Sequence, residues 1–327
     1  MKLLAPLLLI LALFAAWLLM GRPAERRVVV YCAHDAVFAE PILRAFQAQS
    51  GITVDIRYDT EATKSLGLTE RLVAEAGAPQ CDVFWNNELL GTLDLAAKGL
   101  LAEHRGSGWQ RIPAAFKDPA GQWTGMGARL RVVLVNRERM AVPEHFPAEP
   151  DWSQGAMAKP LFGTTLTHVA LLWSAGGYPD WHERVRTAGL RQVDGNGAVK
   201  DLVARGDRAW GYTDSDDALG AIAAGAPVTM LPLELGERTV AIPNTIAVLN
   251  GAPHAEVARQ LADYLLSAAT ETALAQGDAA QIPLGPVDDA ALPERVRTMR
   301  PWAARAHDLG GLLPARNAAL AWLKAHP

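Results

Sequence analysis

Arg27-Val28-Val29-Val30-Tyr31-Cys32, followed by Ala33-His34-Asp35, opens the globular part of this 327-residue chain. The β-branched run, with no polar residue between Val28 and Val30, predicts a strand buried on both faces, as in parallel sheets. Asp35 then stands where a helix needs an N-cap. From Val37 to Ser50, Phe38, Ile42, Leu43 and Phe46 fall on one helical face, and Gly51 ends the pattern. Ile52–Tyr58 alternates as a second strand. Leu66–Ala76 is amphipathic and stops before Gly77-Ala78-Pro79. Asp82-Val83-Phe84-Trp85 is a third strand leading into Asn86-Asn87-Glu88, and Leu89–Lys98 is a helix closed by Gly99. The order βαβαβα, joined by right-handed crossovers, gives a parallel sheet with helices on both faces. Ligands of such sheets sit beyond the carboxyl ends of the strands, so His34, Asp35, Asn86, Asn87 and Glu88 share one rim.

Beyond Gly99 the pattern changes. Trp123–Arg129 leads into a strand, Val132–Asn136, and a proline-bearing passage from Val142 reaches Pro160-Leu161-Phe162-Gly163-Thr164-Thr165. The residues that follow, to Trp173, are helical, with Leu166, Val169, Ala170 and Trp173 on the apolar side. A glycine and two threonines thus stand at a helix start, where unpaired amides and the helix dipole favour an anion or a polar oxygen. A plain capped helix reads the same way. Leu190–Val193 is a strand, Asp194-Gly195-Asn196-Gly197 turns into a helix, Ala198–Arg205, and Ala209–Thr213 is a strand ending at Asp214-Ser215-Asp216-Asp217. A helix, Ala218–Ala224, completes a second α/β unit. Asp214 and Asp216 suit a hard cation or a ligand ammonium, and equally suit the first turn of that helix; Asp217 suits the cap. Arg129 and Arg131 fit a hinge salt bridge better than a ligand contact, and His168, Trp85 and Tyr212 read as packing. Thr239–Leu249 is long enough to pass from one unit to the other.

Half the residues are apolar, a fifth are charged and the net charge is −4, which points away from nucleic acid. Lys2 and the apolar run Leu3–Met20 describe a secretion signal or a retained N-terminal anchor. Cys32 and Cys81 are the only cysteines, and an exported chain leaves both a disulfide and two free thiols open. The sequence shows no Gly-x-Ser-x-Gly, His-Glu-x-x-His, P-loop or Rossmann fingerprint. The rival functions are a metal-dependent hydrolase using a His–Asp–Glu set and a membrane-anchored ligand sensor.

Several landmarks in order resemble the periplasmic solute-binding proteins of ABC transporters, in the branch that includes the ferric-iron-binding proteins. They are Val30-Tyr31 with His34, Gly51-Ile52-Thr53-Val54, Cys81–Trp85, Lys98–Leu101, Phe162–Thr165, Gly195-Asn196, Ile242–Thr245, Gly251–His254 and Gln281–Leu284. The resemblance runs from Val28 to about Pro286. It implies an α/β, two-lobed type II binding-protein fold: residues 1–26 a signal peptide or anchor, 27–128 with 240–327 one lobe, and 129–239 the other. It also implies a periplasmic, monomeric, non-enzymatic receptor that hands its ligand to a transporter permease. No resident cofactor is expected; the ligand is ferric iron with a synergistic anion, or a phosphonate- or phosphate-type anion. The ligand-binding set carried over is His34, Asn87, Glu88, Gly163, Thr164, Thr165, Asn196, Asp214 and Asp216, with His34, Glu88, Asp214 and Asp216 as metal ligands. The adjacent tyrosine pair of the iron-binding relatives is not there: the segment reads Tyr212-Thr213-Asp214-Ser215, with one tyrosine.

Overall fold

The computed structural model describes residues 26–59, 66–161 and 163–326. The expected N-terminal signal or anchor lies outside them, as does Phe162. Among the described residues no helix is long and apolar enough to cross a membrane.

Among the described residues the strands, in chain order, are β1 Arg27–Cys32, β2 Thr53–Tyr58, β3 Val83–Asn86, β4 Leu101–Ala102, β5 Thr124–Asn136, β6 Gly155–Ala158, β7 Arg191–Val193, β8 Trp210–Asp214, β9 Val228–Pro232, β10 Glu234–Leu235, β11 Arg238–Thr239 and β12 Ala241–Leu249. The helices are α1 Ala36–Ser50, α2 Leu66–Ala74, α3 Leu90–Ala97, α4 Ser107–Arg111, α5 Gly163–Ser174, α6 Tyr178–Thr187, α7 Asn196–Ala204, α8 Ser215–Ala223, α9 Ala255–Leu265, α10 Ala268–Gln276, α11 Glu294–Arg297, α12 Arg300–Ala304 and α13 Leu313–Ala325.

The parallel sheet expected from the first third is there, in the order β2-β1-β3, with Val30 opposite Ile56 and Val83. The unbroken apolar run of β1 has a direct cause. Val28, Val30 and Cys32 face one core with Phe46 and Leu261, while Tyr31 faces another with Phe84 and Leu72. Each such fully buried aliphatic side chain contributes about 1.5–3 kcal/mol, so a strand buried on both faces is strongly held. A second parallel set, β8-β6-β7, forms the other half.

Two long strands join the halves. β5 pairs with β12 through Thr124–Leu130, then with β8 and β9 through Arg131–Asn136, all antiparallel. At Pro243/Asn244 the β12 register skips Gly127, whose φ of +43° disfavours any side chain. Both crossing strands are therefore kinked at one level, where Asn244 Nδ2 donates to Gly127 O and the Gly127 amide donates to the buried Glu271. The C-terminal helix α13 also bridges the halves, packing on α5 and on α3.

Some elements differ from expectation. The passage before Pro160 contains β6, and α6 follows α5, where no helix was anticipated. Asp35 is the N-cap residue of α1, yet its side chain makes no capping bond; its carbonyl accepts from Phe38 and Ala39. Cys32 and Cys81 are both buried free thiols, so of the two open alternatives the structure has the unpaired one.

Candidate functional site

Three helices begin at the same place because three strands end there. α5 starts at Gly163, whose φ of +61° turns the chain abruptly into the helix and leaves Thr164 and Thr165 in its first turn. α7 starts at Asn196 after an extended Gly195. α8 starts after Asp214, the last residue of β8. Opposite Asp214 in the β5 register stands Arg131.

These residues close one network. Arg131, with no solvent exposure, donates through Nη1 to Asp214 Oδ1 (2.7 Å), Asn196 Oδ1 (3.1 Å) and Thr164 Oγ1 (3.3 Å). Asp214 Oδ2 accepts from Thr164 Oγ1 (2.7 Å) and Asn196 Nδ2 (2.9 Å). Thr165 Oγ1 donates to Asn196 Oδ1 at 3.3 Å. Asp214 was expected as a ligand or as a cap; its side chain makes no capping bond. Its carboxylate instead lies among donors from α5, α7 and β5, an internal anion at two helix mouths. Arg131 Nε and Nη2 are buried without a partner, so its guanidinium retains donor capacity.

A second charged group adjoins the first. Ligand oxygens of Asp214, Asp216 and Asp217 all lie within 4.8 Å of one another. Burial raises the pKa of Asp216, which the Arg129 charge counters, and burial with the neighbouring Asp216 and Asp214 raises that of Asp217. Arg129 reaches Asp216 at 3.5 Å. Burial opposes its charge, but Asp216, Asp214 and Asp35 outweigh that and raise its pKa. Asp35 belongs to the β1 rim, so its field on Arg129 links the two halves. Both arginines thus make the salt bridges expected of them, at the crossing strand.

The other expected rim residues serve different ends. His34 is buried and stacks on Trp85 (centroids 5.5 Å, 27°) beside Phe38. Asn87 is buried at the end of β3. Glu88 holds the start of α3: its oxygens accept from Leu90 N (2.6 Å) and Gly91 N (2.7 Å) and from Asn86 Nδ2 (3.3 Å). Burial raises its pKa, and those donors with the Arg316 charge offset part of the rise. The four residues expected as metal ligands are therefore not gathered at one point here. Among the described residues the carboxylates that converge are Asp214, Asp216 and Asp217; Glu88 is engaged as a cap, and neither it nor His34 belongs to that group. Gly163, Thr164, Thr165, Asn196, Asp214 and Asp216 come together. Tyr212 takes no part in that network and packs edge-on against His168 (5.1 Å) and Trp210 (5.1 Å).

Two α/β halves on paired crossing strands, with helix starts meeting at the crossing, define the two-lobed binding-protein fold. Residues 28–277 match the family described as bacterial extracellular solute-binding protein, and the chain belongs to that family. Membership makes it a solute-binding protein that works outside the cytoplasm, not an enzyme. Its fold is shared with iron-bound HitA from Pseudomonas aeruginosa, at 21% identity over 92% of this chain and 99% of that one, TM-score 0.76. AfuA from Actinobacillus pleuropneumoniae, with exogenous fructose-6-phosphate bound, is 19% identical over 92% and 98%, TM-score 0.73. The Trichodesmium FutA in complex with iron and citrate is 17% identical over 91% and 98%, TM-score 0.73.

Proposed function

We propose that this protein is a monomeric periplasmic receptor that closes its lobes on a small phosphate- or phosphonate-type ligand and delivers it to an ABC transporter permease. Its lobes are residues 27–128 with 240–327, and 129–239, and they hinge where β5 and β12 are kinked. The carrying observation is the meeting of the α5 and α7 starts with Arg131, because first-turn amides and a guanidinium with spare N–H groups are the donors an oxyanion needs. Asp214 already takes part of that capacity, so the ligand's anionic group uses the remaining first-turn amides, with the buried Arg131 charge behind them.

A second reading rests on the Asp214, Asp216 and Asp217 oxygens, which form a hard-oxygen group for ferric iron carried with its own anion. Tyrosinate ligation is not part of it, since the single Tyr212 faces the core.

A thermal-shift panel of inorganic phosphate, methylphosphonate, sugar phosphates and ferric citrate tests both readings, because a ligand raises the melting temperature by mass action. Thr164→Val should abolish the rise in either case. Asp214→Asn separates them: removing a like charge preserves or strengthens phosphate binding but abolishes an iron-induced rise. Full affinity in Thr164→Val, or a panel without any shift, sinks the proposal.

A further inference from the structure

The C-terminal helix α13 lies against both halves, on α5 and on α3. It runs alongside α5 in the same direction. Trp322 packs on Trp173 (centroids 6.3 Å) near the ends of the two helices, and Ala319 joins Val169 one turn earlier in a shared apolar cluster. One further turn back brings Arg316 level with Thr165 and Leu166, at the start of α5. The buried positions along this side of α13 are Leu312, Ala319 and Leu323. Arg316 falls between them, four residues after Leu312, so a cation occupies a place in that stripe where an apolar residue is the rule.

Its surroundings leave it without a counter-ion. Among the described residues Arg316 makes no ion pair and one side-chain hydrogen bond, from Nη1 to the adjacent Asn317 (2.8 Å). Nε is buried with no acceptor, whereas Nη2, also without one, is not enclosed, and the residue as a whole is partly exposed. Its charge acts on Glu88, where it offsets part of the rise in pKa that burial causes. Glu88 is nonetheless engaged by the α3 amides and Asn86, and Asp214 by Arg131, Thr164 and Asn196. Each of these anions is taken, and Arg316 is the surplus charge. A cation beside the positive end of a helix is disfavoured unless an anion joins it. A partly buried guanidinium without a partner, level with the first turn of α5, is a donor set for an oxyanion.

We infer that Arg316 is a ligand-binding residue contributed by α13, whose Nη2 donates to the anionic group of the ligand seated on the first turn of α5. This inference rests on the reading of the strand crossing as an oxyanion site. There the amides of α5 and α7 give direction and the enclosed Arg131 gives a background charge, while Arg316 adds a charged donor with solvent access.

Calorimetry with inorganic phosphate and with methylphosphonate, at low ionic strength, tests this on the wild type and three variants. Arg316→Met keeps most of the apolar stem and should weaken binding about tenfold or more, the share of a hydrogen bond to a charged group. Arg316→Lys keeps the charge and should recover part of that loss, and added salt should narrow the gap between the wild type and Arg316→Met. Arg259→Met removes an exposed arginine of α9 and should change nothing, which separates a local contact from net charge. Without ligand, Arg316→Met should melt within about 4 °C of the wild type, since the guanidinium has no ion-pair partner to lose. Should it fail to fold, Arg316→Gln takes its place. Wild-type binding with full affinity in Arg316→Met overturns this inference and leaves the oxyanion site standing. So does a loss equalled by Arg259→Met, or a ligand-free melting temperature lowered beyond that margin, which would make Arg316 a structural residue. A wild type silent toward both probes overturns the oxyanion reading itself, and this inference with it.

Discussion

Replacing Arg131 by Met tests whether the buried ion pair behaves as the geometry requires. Arg131 is fully buried and Asp214 is 2% exposed, so removing either partner leaves the other's charge without its main compensation. Such a loss costs about 3–5 kcal/mol. The two sides are unequal here. Without Arg131, Asp214 keeps hydrogen bonds from Thr164 and Asn196, which puts Arg131→Met near 3 kcal/mol. Without Asp214, Arg131 keeps only the neutral acceptors Asn196 and Thr164, with Nε and Nη2 already partnerless, so Asp214→Leu falls near 5 kcal/mol. The double variant replaces the pair with apolar volume and should cost about 3 kcal/mol or less, well short of the roughly 8 that additivity demands. Urea unfolding followed by far-UV circular dichroism measures all four proteins, and an unchanged denaturant slope confirms comparable unfolding. Single costs that sum to the double within about 0.5 kcal/mol would refute the coupling. The site would then lose its electrostatic keystone.

His168 supplies a pH dependence. Its folded pKa, about 3 against an ordinary 6.5, means the unfolded chain takes up a proton that the folded one refuses between those values. Stability should therefore be unaffected above pH 6.5 and fall as pH drops toward 3. The limit is about 5 kcal/mol at 1.36 kcal/mol per unit. His168→Phe should flatten this part of the acid limb in melts run from pH 7 to 4; an unchanged slope contradicts the burial argument. Cys32 and Cys81 are fully buried thiols whose pKa values burial pushes up, so a thiol-reactive dye should label neither in the native protein and both after unfolding. Rapid native labelling, or two thiols that appear only after reduction, would count against their placement.

What could be read from the sequence depended on how local its cause was. The first parallel sheet was legible because Val28–Cys32 and Val83–Trp85 are buried on both faces and therefore carry continuous apolar runs. Glu88 stands two and three residues before the amides it caps, so its structural role has a wholly local cause. The helix α6 escaped for a specific reason: its buried residues are Tyr178, His182 and Val185, so two of the three that mark its inner face are polar-tipped rings that an apolar count passes over. β6 escaped because Gly155-Ala156-Met157-Ala158 has no β-branched residue. Asp214 shows the harder limit. A carboxylate at the end of a strand and the start of a helix has a sufficient local explanation in the helix dipole, and nothing within ten residues argues against it. What makes it an internal anion is Arg131, 83 positions earlier and directly opposite in the antiparallel register of β5 and β8. A short-range pattern cannot carry that pairing, because strand register is decided by which faces of two distant segments are buried together. The same register sets Tyr212, two residues before Asp214 on one face of β8, against His168 of α5, so both side chains meet that helix, Tyr212 through its packed ring and Asp214 at the helix mouth.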